Sequence, residues 1–296
     1  MELSVMAKSK IHADRWEYNW NAEGNKAYSS LPELVTLGYD RFHEASPLTD
    51  HNHERSYEFV FVEKGKVTWE VDEQLYPSNT GQCFHTRPGE WHRARLNYIE
   101  PCSIWWVIIV DPAEQPGWLS FSDDEREQLA ANLRELPRIV GVDSRMREQF
   151  EALRSLLSDD EPAPLFRLRH HLADIVLQLL YPRAERQVQS ELRDAMLALT
   201  GRIEAEPERR WANKELADIA GVSESHFYRL FHSLHGQSPA NYIDRLRMNR
   251  ACELLREPRS NVTDVAMDLG YKTSQHFATV FKKYIGVSPS QWKKTT

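Results

Sequence analysis

The sequence predicts an α+β chain of several domains: an N-terminal β-barrel or jelly roll, a helical connecting region and an all-α C-terminal domain. Between residues 34 and 110, short apolar runs alternate with period two and are broken by Pro and Gly, as in YEFVFVEKGKVTWEVDEQLYP and CSIWWVIIV. From Ser122 the pattern becomes helical. Within the last third a helical segment occurs twice: Ala217, Gly221, Phe227, Phe231, Gly236 and Pro239 recur as Ala266, Gly270, Phe277, Phe281, Gly286 and Pro289.

Bulk composition bounds the function. The chain has 296 residues, 41% apolar and 27% charged, which suits folded domains rather than disorder. No run reaches the roughly 18 apolar residues of a membrane helix, and the N-terminus lacks the apolar core of a signal peptide, so a cytoplasmic protein without a membrane partner is expected. Cys83, Cys102 and Cys252 are scattered and odd in number, which fits reduced thiols rather than disulfides or a cysteine zinc cluster. The net charge of −7 is unevenly spread: 16 basic residues face 13 acidic ones from Ser190 onward, against 21 and 31 before it. Seven of the nine tryptophans lie at or before Trp118, so the two halves differ in kind. The expected organisation is an N-terminal arm (1–26), an effector-binding barrel (27–118), a helical dimerisation and linker region (119–189) and a DNA-binding domain (190–296).

Within the connecting region, SDDEREQLAANLREL begins with a serine cap and first-turn acids and is stopped by Pro137. Two further helices, DSRMREQFEALRSLL and LFRLRHHLADIVLQLLY, follow. Leu168, Leu172, Ile175, Val176 and Leu179 form a stripe that suits a dimer interface or intrachain core equally. PRAERQVQS, residues 182–190, is polar and reads as the interdomain linker.

Each copy of the repeat reads as helix, glycine turn, helix. Ala217 and Ala266 let paired helices approach, Gly221 and Gly270 take the turn, and Ser223 and Thr273 are the expected N-caps. Phe227, Leu230, Phe231 and Leu234, and Phe277, Val280, Phe281 and Tyr284, fall at core spacing. That leaves Glu224, Ser225, Tyr228, Arg229 and His232, and Ser274, Gln275, Ala278, Thr279 and Lys282, on the opposite faces. Such faces suit the major groove: Arg can take guanine, Gln adenine, and methyl groups thymine, while Lys272, Lys282 and Lys283 suit phosphates.

These residues resemble the tandem helix-turn-helix domain of the AraC/XylS family of bacterial transcription regulators, most closely in SESHFYRLFHSLHGQSPANYIDRLRMNRACELL and LGYKTSQHFATVFKKYIGVSPSQWK. The resemblance implies double-stranded DNA as partner, with Ser225, Tyr228 and Arg229 facing bases from the first reading helix and Ser274, Gln275 and Thr279 from the second. A long helix over 239–255, capped by Ser238, would hold the reading helices about one DNA turn, roughly 34 Å, apart. Thr279 departs from the arginine common at that position in the family, which removes a guanine contact. Family behaviour favours an activator, hence RNA polymerase as a further partner, and a homodimer.

The N-terminal half resembles the cupin-type sensor domain that precedes this DNA-binding domain in many family members. HNHERSYEFVFVEKG, with PGEWH further on, corresponds to the cupin ligand pattern, implying His51, His53, Glu58 and His92 as a set that could hold Zn, Fe, Ni or Mn. The residues themselves leave three readings open: a metal site, a metal-free ligand pocket, or histidines that only satisfy the structure. The pocket is the adopted reading, with no cofactor and no catalysis; the alternative is a metal-dependent isomerase or dioxygenase fused to a DNA-binding domain. Trp69, Trp91, Trp105, Trp106, Arg93 and Arg95 could line such a pocket, and Trp91, Arg93 and Trp106 are the chosen contacts beside the four ligands. Trp105 and Trp106 are adjacent, so only one can face inward. Stacking indoles with charged rim groups suit a sugar or sugar acid effector.

Overall fold

The computed structural model describes residues 13–19, 31–158, 163–182 and 190–295. Its strands are β1 (Ala13–Asn19), β2 (Leu34–Phe42), β3 (Ser46–Pro47), β4 (Ser56–Lys64), β5 (Lys66–Val71), β6 (Gln74–Asn79), β7 (Gln82–Thr86), β8 (His92–Ala94), β9 (Tyr98–Ile99), β10 (Ser103–Val110) and β11 (Ile139–Gly141). The helices are α1 (Asp123–Glu135), α2 (Arg145–Ser158), α3 (Leu165–Leu180), α4 (Ser190–Ala205), α5 (Asn213–Ile219), α6 (Glu224–His235), α7 (Pro239–Leu254), α8 (Val262–Asp268), α9 (Ser274–Ile285) and α10 (Pro289–Thr295). Strands thus predominate up to Val110 and helices from Asp123 onward, with β11 falling between α1 and α2.

The barrel consists of a six-stranded antiparallel sheet in the order β1-β2-β10-β4-β7-β11, a three-stranded sheet β6-β5-β8 and the short pair β3-β9. Both faces of the large sheet are covered. One face, with Val60, Val62, Phe84 and Ile104, meets Trp69 and Val71 of the small sheet inside the barrel. The other, with Phe59, Phe61, Trp105 and Val107, packs beneath Phe150 of α2 and Leu168 and Leu172 of α3. Burial from both sides explains why β4 is buried at every position from Ser56 to Val62 rather than at alternate ones.

Two boundaries differ from the sequence reading. Residues 13–19, assigned there to an arm, form β1 and pair with β2 from Ala13↔Phe42 to Asn19↔Thr36. Residues 139–141, assigned to the helical region, add β11 to the edge of the barrel sheet through Val140↔Cys83. The second segment is too short to show a period of its own, and in both, pairing to a partner strand decides the state. Residues 183–189 of the expected linker, and 1–12 and 20–26 of the expected arm, lie outside the described residues.

The expected helix starts are present. Ser122 forms a capping box with Glu125. The stripe Leu168, Leu172, Ile175, Val176 and Leu179 is buried inside the chain, so of the two alternatives it is core. Gly221 and Gly270 take φ of +68° and +81°. The two reading helices pack through Phe227 and Phe231 in one core and Phe277 and Phe281 in another, all four fully buried; truncating such a phenylalanine to Ala costs about 3–5 kcal/mol. α7 joins the two units, contributing Tyr242 and Ile243 to the first core and Met248, Ala251 and Cys252 to the second. All three cysteines are free and buried. Among the described residues no helix is long and apolar enough to cross a membrane.

Candidate effector site and nucleic-acid interface

His51, His53, Glu58 and His92 converge: one ligand atom from each lies within 4.8 Å of all the others. His51 and His53 lie outside the regular strands, between β3 and β4. His51 makes a single bridge to His92, with reciprocal backbone bonds of 3.0 and 2.9 Å. The His53 carbonyl accepts from Ser56 and Gly89, so the turn of the PGEWH segment clasps it. Glu58 comes from β4 and His92 from the start of β8, two strands brought together only by closure of the barrel.

Second partners orient two of the rings. Nδ1 of His51 lies 2.9 Å from the Thr49 carbonyl, and Nδ1 of His92 lies 3.1 Å from the Glu90 carbonyl. Each Nδ1 therefore carries the proton, and each Nε2 is turned to the cluster. His92 Nε2 is 2.8 Å from Glu58 Oε2. His53 Nε2 is 3.5 Å from the same oxygen, ion-pair range, and is buried without a hydrogen bond.

The charges are coupled. Burial alone would raise the Glu58 carboxyl, but the imidazoles of His53 and His92 outweigh it and hold Glu58 well below the usual carboxylate range. Burial alone would lower His92, yet the Glu58 carboxylate raises it. Burial, aided by the neighbouring His92, lowers His51. With both ring nitrogens of His92 facing acceptors, a proton must sit between His92 and Glu58 unless another cation takes its place. Three imidazoles and a carboxylate, two of the rings held through Nδ1 by backbone carbonyls and one Nε2 orphaned, fit a divalent transition-metal ion.

The other predicted pocket residues diverge. Trp91 is 59% exposed beside His92. Arg93 is tied to Glu70 at 2.5 Å and to Asp50 at 3.4 Å. Trp106 faces the barrel interior opposite Val60, one same-face step from Glu58, and donates to Asp40 at 2.9 Å. Trp105 faces away, beneath α2, with its ring 5.6 Å from that of Phe150, so it does not line the pocket. Arg95 reaches Asn249 of α7 instead of the pocket. Trp69 lies inside, stacked on Phe84 at 5.0 Å and 6.5 Å from the His92 ring. The sequence reading missed the Asp40–Trp106 pair and the barrel contacts to α7; nothing in their local spacing marks them.

In the C-terminal domain, the backbone N–H of His226 donates to the Ser223 hydroxyl and that of His276 to the Thr273 hydroxyl, so both reading helices start where expected. Ser225, Tyr228 and Arg229 are exposed on α6; Gln275, Thr279, Lys282 and the nearby Lys272 are exposed on or beside α9, while Ser274 and Lys283 are half-buried. Thr279 turns its hydroxyl back to the Gln275 carbonyl at 3.0 Å, leaving its methyl as the outward group.

A helix-turn-helix domain profile matches residues 216–295 and a cupin domain profile matches residues 42–108. An uncharacterized HTH-type transcriptional regulator of Haemophilus influenzae is 34% identical over 90 residues, 30% of each chain. A putative AraC-like transcription regulator of Streptomyces lividans is 32% identical over 92 residues, 31% of this chain and 30% of that one. The chain thus spans about a third of the length of these two relatives. The virulence regulon transcriptional activator VirF of Yersinia enterocolitica is 24% identical over 246 residues, 78% of this chain and 87% of that one. A cupin domain thus stands ahead of a helix-turn-helix domain along the sequence, and in both domains the chain is similar to regulators of the AraC/XylS family.

Proposed function

We propose that the protein is a ligand-responsive transcription activator that reads DNA with α6 and α9 and senses a small effector at the His51–His53–Glu58–His92 cluster. The tandem capped helices carry this reading, because two exposed polar faces on equivalent rigid helices suit successive major grooves. Ser225, Tyr228 and Arg229 face bases from one, and Ser274, Gln275 and Thr279 from the other, with Lys272, Lys282 and Lys283 on phosphates. Activation, with RNA polymerase as partner, is favoured by the 24% identical Yersinia activator. Selecting bound sequences from a random DNA pool tests the reading; recovery of no enriched sequence would sink it.

The effector class that fits is a sugar or sugar acid. Exposed Trp91 offers a stacking face beside imidazoles that can bond hydroxyls, and Arg93, fixed by Glu70 and Asp50, adds guanidinium N–H donors at the rim. A thermal-shift screen of sugars and sugar acids on the full chain is the check: a binder raises the midpoint by mass action, and the shift disappears in His53→Ala.

A second reading, that the cluster holds a divalent metal, is favoured by the orphaned His53 Nε2. When bound, the ion would act as a Lewis acid toward an oxygen ligand, and His51, His53, Glu58 and His92 would hold it. An enzymatic barrel would follow only if metal loading also confers turnover of a candidate sugar.

The same reading has the chain dimerise through the outer side of α3, supported by Phe166, Leu177 and Tyr181, which are 72%, 50% and 63% exposed. Leu177→Glu should convert a dimer to a monomer in sedimentation.

A further inference from the structure

The barrel rests on the C-terminal end of both reading helices. Gly236 and Gly286, equivalent residues of the repeat, are the left-handed C-caps of α6 and α9. Each is also a point of close approach. A Cβ at Gly236 would meet Thr80 and come within 2.8 Å of the Gly65 backbone; one at Gly286 would lie 2.4 Å from ring carbons of Tyr98. At α9 the contact extends along the helix. The N–H of Ala45 donates to the Lys283 carbonyl at 2.7 Å, and His43 and Glu44 line one groove with Ala278, Thr279, Lys282 and Lys283. Glu44 therefore lines the same groove as Lys282 and Lys283, the lysines that suit a DNA phosphate, and Thr279 opens onto that groove.

We propose that residues 43–45 of the barrel form an autoinhibitory cap on the second reading helix, with Glu44 occupying the place of a DNA phosphate. This rests on the DNA-binding reading above. The cap is tied to the histidine cluster by continuous chain. Residues 43–45 lead into β3, which pairs with β9 through Ser46↔Ile99 and Pro47↔Tyr98, and the same two segments carry His51 and His92, bridged to each other. Between them the Leu48 N–H donates to the Asn97 carbonyl at 2.8 Å, and Leu96 packs into the core of the second helix-turn-helix unit. Movement of the His51–His92 bridge would thus be transmitted to the cap through two backbone hydrogen-bonded segments. At α6 the described contact lies at the C-terminal cap, where Gly236 meets Thr80 and Gly65, away from Ser225, Tyr228 and Arg229, so the second unit is the regulated one.

The test uses the full chain and a duplex of random sequence, because phosphate contacts need no particular bases. Glu44→Gln removes the competing carboxylate from an exposed position, and Tyr98→Ser loosens the same contact without changing charge. Both should tighten binding and steepen the slope of log K against log salt by about 0.9 for each lysine released. Lys282→Ala should then cost little in the parent protein and several-fold more in either variant background. An equal effect of Lys282→Ala in all three backgrounds, or weaker binding by Tyr98→Ser, overturns the cap while leaving DNA binding intact. If none of the proteins binds duplex DNA, the DNA-binding reading fails first and the cap with it.

Discussion

Glu58 Oε2 and His92 Nε2 stand 2.8 Å apart with His92 wholly buried, so each neutralises a charge the other could not keep alone. Removing the carboxylate strands a buried ring nitrogen. Glu58→Ala is expected to lower stability by about 1–3 kcal/mol, read from denaturant unfolding, with Glu58→Gln closer to the parent. The same substitution should abolish any stoichiometric binding of Zn or Ni in a calorimetric titration, because it removes the anionic member of the ligand set.

The reading helices give separable DNA predictions. Arg229→Ala should cost about 1–3 kcal/mol at one base position and relax specificity there, as read from selected sequences. Lys272→Ala should weaken all sequences alike and flatten the salt dependence. Unchanged preference in the first variant would remove Arg229 from the base-reading set.

Two histidines, buried His85 and half-buried His235, set an acid limit, one in each domain. His85 Nε2 donates to the Pro137 carbonyl at 3.1 Å; burial, with Arg138 nearby, lowers its pKa to about 4. His235 lies 2.9 Å from the Thr200 hydroxyl; burial, with Arg245 nearby, lowers it also to about 4. Between the ordinary value of 6.5 and about 4 the unfolded chain binds more protons than the folded one. Stability is therefore full above pH 6.5 and falls as pH drops toward 4, by on the order of 1–3 kcal/mol per histidine. Thermal midpoints across this window should decline, and His235→Gln should flatten the decline of the C-terminal domain; a flat parent profile would contradict both assignments.

Gly38 holds the Trp106 indole in place. A Cβ there would lie 2.2 Å from the ring, with no flexible end to yield. Gly38→Ala should therefore cost about 1–3 kcal/mol by overpacking and shift Trp106 off Asp40. Unfolding followed by tryptophan fluorescence checks both. An unchanged midpoint would show that the ring has room to move.

The C-terminal domain was legible almost residue by residue. Its caps at Ser223 and Thr273, its turn glycines and its two phenylalanine pairs obey local rules, and a repeat states each rule twice. The barrel was legible as a class, and its four-residue cluster through family likeness. Its edges were not: β1 and β11 become strands because β2 and β7 offer them partners. Nor could adjacency say which of Trp105 and Trp106 faces inward, since that follows from the register of β10 against β4.

What the sequence determined by itself was the order of domains, the helix boundaries and the chemistry available to each, because capping, periodicity and residue type act within a few positions. Tertiary structure decided that Glu58 Oε2 and His92 Nε2 meet at 2.8 Å, that the α3 stripe is core, and that Ala45 and Tyr98 lie against the second reading helix. Those relationships join residues far apart in the chain, and only the packing of complete sheets and helices fixes their distance.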